Sequence, residues 1–146
     1  MRRLELFVAE DNDADLYWLK MILREMGLDA TLRIVYDGET ARDYLLKRDG
    51  HSGGPELDLI LLDLNLPRLT GIEVLRQLPQ PDKMPICVLT SSSMEREFIQ
   101  RHFGLDGMAY LVKPVTREKL LACFRVYEHL RPIADEMSGQ RGAMAS

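Results

Sequence analysis

Asp63 ends the apolar run Leu59-Ile60-Leu61-Leu62 and opens the turn Asp63-Leu64-Asn65-Leu66-Pro67. Glu10, Asp11, Thr90 and Lys113 each stand at the end of another short apolar run. Acids, a hydroxyl and a lone ammonium suit one kind of chemistry if they meet. A carboxylate attacks phosphorus, the other acids hold a divalent cation, and the ammonium and hydroxyl stabilise the transferred phosphoryl group. The set reads as a phosphoryl-accepting site, provided that the apolar runs are neighbours in one sheet.

The elements between them alternate in a way that makes this so. Residues 4–9 read as a strand and residues 14–26 as a helix, because Leu16, Leu19, Ile22, Leu23 and Met26 recur at helical spacing. Asp13 is the expected N-cap and Gly27 the stop. Strand-like runs follow at 31–36, 57–62, 86–89 and 108–112, and helix-like runs at 39–48, 70–78, 94–103 and 116–130. Thr116 caps the last helix, and Pro79, Pro81 and Pro85 break the chain before the fourth strand.

Five strand–helix repeats are best satisfied by an α/β fold, a doubly wound parallel sheet of flavodoxin-like type with strand order 2-1-3-4-5. Uninterrupted apolar strands such as residues 59–62 agree, since both faces of such a sheet are covered. Right-handed crossovers place all C-terminal strand ends on one edge. Strands one and three are then adjacent, bringing Asp11 and Asp63 within a few ångströms. Two carboxylates ~4 Å apart repel by roughly 4 kcal/mol at an effective dielectric of about 20, and Glu10 adds to the load. A cluster of hard oxygen ligands on loops relieves this by recruiting Mg²⁺.

Lys113 has the reach to pair with Asp63 or with its phosphate. Pro114 after it favours an extended Lys113, and a cis Lys113-Pro114 bond would aim that side chain. The Thr90 hydroxyl can donate to a phosphoryl oxygen, and Ser91 is small enough to leave room.

Composition bounds the rest. A chain of 146 residues fits one domain, with residues 1–131 as its body and 132–146 as a short polar tail expected to be flexible. The net charge of −4 is spread over both signs, with no basic stripe for nucleic acid. Cys87 and Cys123 sit apart in apolar segments and read as buried thiols of a reducing, cytoplasmic compartment. Met1-Arg2-Arg3 begins like a signal peptide, but Glu5 and the acids from Glu10 to Asp15 interrupt it. No apolar run approaches the ~18 residues of a membrane span.

With Glu10-Asp11, Asp63 in its Leu61-to-Pro67 setting, Gly71, Thr90-Ser91 and Lys113-Pro114 in place, the chain resembles response-regulator receiver domains over residues 4–130. It is most similar to single-domain regulators paired with phytochrome-type histidine kinases. The resemblance implies that Asp63 is the phosphoacceptor, Asp11 a direct Mg²⁺ ligand and Glu10 a ligand through water. It also makes the Asn65 backbone carbonyl a third ligand, and Thr90, Lys113 and Tyr110 the carriers of the response. Glu10 stands where Asp is commoner, a change that an indirect contact tolerates.

Singly, each residue has a plainer reading: Glu10-Asp11 as a solvated helix start, Thr90 as a strand end, Lys113-Pro114 as a turn, and Asp63 as an acid bonding its own backbone. Their shared address argues against four accidents. His51, His102 and His129 have no mutual metal spacing, and the glycine-containing loop at 50–54 lacks the ending of a nucleotide-binding loop.

The implied function is a stand-alone switch. It takes a phosphoryl group from a histidine kinase onto Asp63, loses it by hydrolysis, and signals to a downstream protein without turning over an external metabolite. Helix 116–130 offers Leu120, Leu121, Phe124 and Tyr127 over a wide arc, which suggests a homodimer through the fourth helix, fifth strand and last helix. A burial of that arc within the chain is the alternative. A Mg²⁺-dependent phosphatase with Asp63 as nucleophile would want a second acid two residues later, where Asn65 stands. A phosphorylation-independent adaptor would have no use for the retained acids, Thr90 and Lys113.

Overall fold

The computed structural model describes residues 2–49, 56–91, 97–98, 100–101 and 108–145. Five parallel strands, β1 (Leu4–Ala9), β2 (Ala30–Val35), β3 (Leu59–Asp63), β4 (Ile86–Thr90) and β5 (Ala109–Val112), form one sheet in the order β2-β1-β3-β4-β5. The doubly wound, flavodoxin-like expectation is met. β3 and β4 are buried along their whole length, as strands covered on both faces must be.

Two apolar cores flank the sheet. On one side α1 (Asp13–Glu25) and α4 (Arg117–Val126) pack Leu16, Leu19, Leu120 and Phe124 against Leu6, Leu61 and Leu89. On the other, α2 (Gly38–Asp49) and α3 (Gly71–Gln77) pack Ala41, Leu45, Val74 and Leu75 against Phe7, Ile60 and Val88. Residues alternate between these cores along each strand, since neighbouring side chains of a strand face opposite ways.

Helix starts follow cap chemistry. Asn12, one residue before the expected Asp13, caps α1 by accepting from the Asp15 amide at 2.9 Å. Thr70 and Thr116 cap α3 and α4 in the same way, each accepting from the amide three residues on at 3.2 Å. Gly71 is required sterically, because a Cβ there would lie 2.5 Å from the Asp63 carbonyl oxygen. The start of α3 therefore packs directly on the turn that carries Asp63.

The C-terminal region departs from expectation. The expected single helix over 116–130 stops at Val126, where Tyr127 turns extended (φ −106°, ψ 127°) and its hydroxyl donates to the Ile86 carbonyl. After a short 3-10 turn, the expected flexible tail is instead a helix, α5 (Arg131–Ala145). Ile133, Ala134 and Met137 form a buried stripe at helical spacing that joins the α1–α4 core. Pro132 lies in the first turn, where its missing N–H and fixed φ cost a helix nothing. Phe124 is fully buried and Leu120 and Leu121 nearly so, so the apolar arc serves this chain's own core. Three of the four residues that suggested a homodimer are thus taken up within the chain.

The expected helix over 94–103, and with it His51 and His102, falls largely or wholly outside the described residues, although the backbone is helical at 97, 98, 100 and 101. Among the described residues, no helix is long and apolar enough to cross a membrane.

Candidate phosphoacceptor site

The register of the sheet decides which acids meet. Ala9 pairs with Leu62, so Glu10 comes level with Asp63 at the C-terminal edge. Asp11, expected within a few ångströms of Asp63, falls one residue beyond Glu10 and is exposed. The acid that completes the cluster is Asp15, from the first turn of α1. Glu10, Asp15 and Asp63 each offer an oxygen, all within 4.8 Å of one another.

Lys113 sits at the end of β5 on a cis Lys113-Pro114 bond, as its sequence suggested. Its Nζ donates to Glu10 Oε1 at 2.7 Å, to Asp15 Oδ2 at 2.7 Å and to Asp63 Oδ2. Its backbone is tied to the next strand, with the Lys113 amide donating to the Thr90 carbonyl at 2.8 Å. The second oxygen of Asp63 accepts from the Asn65 amide at 2.7 Å, and Asn65 Nδ2 donates to Ser91 Oγ at 3.1 Å. The carboxylate of Asp63 is thereby held at both ends.

The charges do not balance. Like charges within 4.8 Å cost roughly 3 kcal/mol per pair at an effective dielectric of about 20, and one ammonium answers three acids. Burial, then the hydrogen bond with Asp63, pushes the Glu10 carboxyl up to about 7, against the pull of Lys113. Burial works against the Lys113 charge as well, but the bonds to Asp15, Asp63 and Glu10 outweigh it and raise its pKa.

These hard oxygen donors fit a divalent cation that keeps several waters. A second observation points to a missing acceptor. Thr90 is completely buried, and among the described residues its Oγ1 has no hydrogen-bond partner, an arrangement seldom left in place without a use. An anion seated between Lys113 and Thr90 would supply that acceptor.

The remaining expected residues divide. Tyr110 is half-buried against the α2–α3 core, with its carbonyl near Cys123 Sγ at 3.6 Å. His129 serves structure: its Nε2 lies 2.8 Å from the Asp58 carbonyl, far from the site in the fold. Cys87 and Cys123 are both buried free thiols, as expected, but their sulfurs are only 2.8 Å apart, a proximity that sequence distance concealed.

Sequence reasoning missed two site features. Asp15 was counted only among the acids that interrupt a signal-like start, although it lies in the first turn of α1 beside Leu16. Trp18, one turn further, donates its indole N–H to the Val115 carbonyl at 2.6 Å. With Pro114, Val115 and Leu19 it lines an apolar cleft of about 430 Å³ that opens onto Lys113.

The chain resembles known proteins in the same terms. Residues 6–125 match the family described as "Response regulator receiver domain". Response regulator Rcp1 of Synechocystis sp. is 36% identical over 111 residues, covering 74% of this chain and 75% of that protein. The solved Mn(2+)-bound form of Rcp1 superposes with a TM-score of 0.61 at 32% identity, over 84% of this chain and 88% of the other. The bacteriophytochrome response regulator RtBRR superposes with a TM-score of 0.72 at 31% identity, over 86% and 78% of the two chains. The strand-edge cluster, the fold and the match over residues 6–125 agree, and the chain belongs to the response regulator receiver domain family.

Proposed function

We propose that Asp63 accepts a phosphoryl group from the phosphohistidine of a histidine kinase, and that the aspartyl phosphate switches the chain's protein contacts. The observation that carries this reading is the pairing of one ammonium with Asp63 and Glu10, beside a buried hydroxyl with no described partner. Glu10, Asp63 and the Asn65 carbonyl, with Asp11 swung in from its exposed position, would hold Mg²⁺. When bound, Mg²⁺ neutralises charge on the phosphoryl oxygens.

The chain's own residues do the rest. An oxygen of Asp63 attacks phosphorus in line while the phosphorus–nitrogen bond to the imidazole breaks. Lys113, released from the Asp63 oxygen, follows the charge to a phosphoryl oxygen, and Thr90 donates its hydroxyl to another. Water later cleaves the acyl phosphate, returning Asp63 and inorganic phosphate. Drawing Thr90 inward makes room for Tyr110 to turn, a population shift between two packings of β4 and β5.

The kinship with Rcp1 and RtBRR supports a phytochrome-like kinase as donor, and the apolar cleft beside Lys113 offers that kinase a place to approach. A phosphatase reading is weaker. Asn65 stands where its second acid would be, and it bonds Ser91 through its amide nitrogen, which leaves no acid there to protonate a leaving group.

Acetyl phosphate with Mg²⁺ tests the proposal. Peptide mapping should place one labile phosphoryl group on Asp63 and none on Asp63→Asn. A label that persists on Asp63→Asn, or that maps to His51, His102 or His129, overturns it.

A further inference from the structure

The geometry points to Asp15 as a positioning residue that keeps hold of Lys113 while Glu10 and Asp63 exchange partners. The inference rests on the phosphoacceptor reading above and adds to it a residue that the acid pair and the phosphoacceptor do not include.

The three carboxylates around Lys113 Nζ are unequal. The side chains of Glu10 and Asp63 are 3% exposed and that of Asp15 is 43% exposed. Glu10 and Asp63 each have a second duty. Glu10 Oε2 accepts from the Asn12 amide at 3.3 Å, and Asp63 Oδ1 accepts from the Asn65 amide at 2.7 Å. An oxygen of either that turns to a cation or to phosphorus must therefore share its lone pairs between that new partner and Lys113 or a backbone N–H. Among the described hydrogen bonds, the Asp15 carboxylate serves Lys113 alone. It can keep the ammonium when the other two let go.

The backbone around this contact is fixed from both sides. The Asp15 amide is bound by the Asn12 cap at 2.9 Å. Trp18 straps the same turn of α1 to the Val115 carbonyl at 2.6 Å, two residues past Lys113. Asp15 and Lys113 thus approach from elements that are already tied together, and the long lysine stem loses little further freedom by staying. Without Asp15 the ammonium has only the two acids that the chemistry needs, so it competes with the incoming cation for both.

A double-mutant cycle separates this role from direct cation ligation. Asp15→Asn, Lys113→Ala, the double variant and Asp15→Glu are titrated with Mg²⁺ in the absence of any phosphodonor. Trp18, the chain's only tryptophan, supplies the fluorescence signal. Asp15→Asn should weaken Mg²⁺ binding ~5-fold when Lys113 is present and less than ~2-fold when it is Ala, with Asp15→Glu within ~2-fold of wild type. The rate of Asp63 labelling at saturating Mg²⁺ should follow the same pattern.

An equal or larger loss in the Lys113→Ala background makes Asp15 a cation ligand and overturns the proposal, as does an Asp15→Asn protein that binds like wild type. If the fluorescence cycle behaves as stated while wild type takes no phosphoryl group, the phosphoacceptor reading fails and the role of Asp15 stands.

Discussion

The Lys113 amide donates to the Thr90 carbonyl at 2.8 Å, so the residue that carries the ammonium and the one whose hydroxyl lacks a partner among the described residues share one rung between β4 and β5. Any event that draws the Thr90 side chain toward Asp63 is felt by the strand that bears Lys113 and Tyr110. The bond gives a physical path from the acidic cluster to the neighbouring helices, and it fixes what the following variants should do.

Thr90→Val should leave the resting protein as stable as wild type or slightly more so. The valine is close in shape, and the lost hydroxyl was buried without a described partner. Removing a buried polar atom that makes no bond saves its desolvation, on the order of 1 kcal/mol. The same variant should lose most of the structural response to beryllofluoride, read from amide chemical shifts of β5. A full response would show that Thr90 is only a strand end.

Mg²⁺ binding should depend on pH through Glu10. Its carboxyl is held at about 7 by burial and by Asp63, and a cation needs it ionised, so loading expels a proton. Apparent affinity should fall up to ~10-fold per pH unit below about 7 and level off above it. Without the cation the sign for folding is set by a raised pKa. The stability from a protonated Glu10 is complete below its unfolded value of 4.5 and is lost as pH rises toward about 7. Isothermal titration with Mg²⁺ as a function of pH on wild type and Glu10→Gln checks the first, and urea unfolding without Mg²⁺ across the pH window from 4.5 to about 7 checks the second. A Glu10→Gln protein with the same slope assigns the proton elsewhere.

Asp11 sets the resting geometry against the family resemblance. It lies exposed outside the cluster, yet a ligand role would require it to turn inward on loading. Mg²⁺ at ~20 times its dissociation constant should stabilise wild type by about 1.8 kcal/mol, a shift of a few degrees in Tm. Asp11→Ala should keep less than half of that shift while melting normally without Mg²⁺. An undiminished shift would leave the cation to Glu10, Asp15 and Asp63.

Most of the fold was legible because parallel strands buried on both faces leave unbroken apolar runs, and Leu59 to Leu62 could hardly be anything else. Glu10, Asp63, Thr90 and Lys113 followed from topology, since each ends a run and all runs end on one edge. The register across β1 and β3 sets Glu10 level with Asp63 and leaves Asp11 exposed one residue further on, a detail that depends on which residues pair and not on where the apolar run stops. Asp15 was hidden for a different reason. A helix start is normally acidic, so a functional acid there looks like an ordinary one until the helix is set against the sheet. The C-terminal helix was missed because the tail reads as small and polar, and the sparse stripe of Ile133, Ala134 and Met137 sits among such residues.

Gly71→Ala should be costly out of proportion to its size. The added methyl would meet the Asp63 carbonyl oxygen at 2.5 Å and Leu64 Cα at 2.7 Å, both backbone atoms that cannot step aside without moving the turn. Overpacking of this kind costs about 1–3 kcal/mol, and here the strain falls on Asp63, the proposed phosphoacceptor. Urea unfolding should show the loss, and Asp63 labelling should slow even where the variant remains folded. A stable Gly71→Ala with normal labelling would mean that the turn is softer than its contacts indicate.

The last expectation concerns α5 and the surface it replaces. Met137 is 1% exposed and Ala134 fully buried against the α1–α4 core, and Arg117 ties the helices together by donating from Nη2 to the Met137 carbonyl at 2.8 Å. Met137→Asp puts an unpaired charge into that contact and should cost about 3 kcal/mol or more. Because Phe124 and Leu120 face the same core, releasing α5 would also bare part of the arc that first suggested a dimer. Truncation before Arg131 should therefore do two things together, lowering Tm and promoting self-association at tens of micromolar, while the full chain stays monomeric under the same conditions. Light scattering beside thermal melts reads both. If truncation changes neither, α5 contributes nothing to the core. If the full chain already dimerises and Phe124→Asp disrupts the dimer without unfolding the protomer, the arc is an intermolecular surface after all.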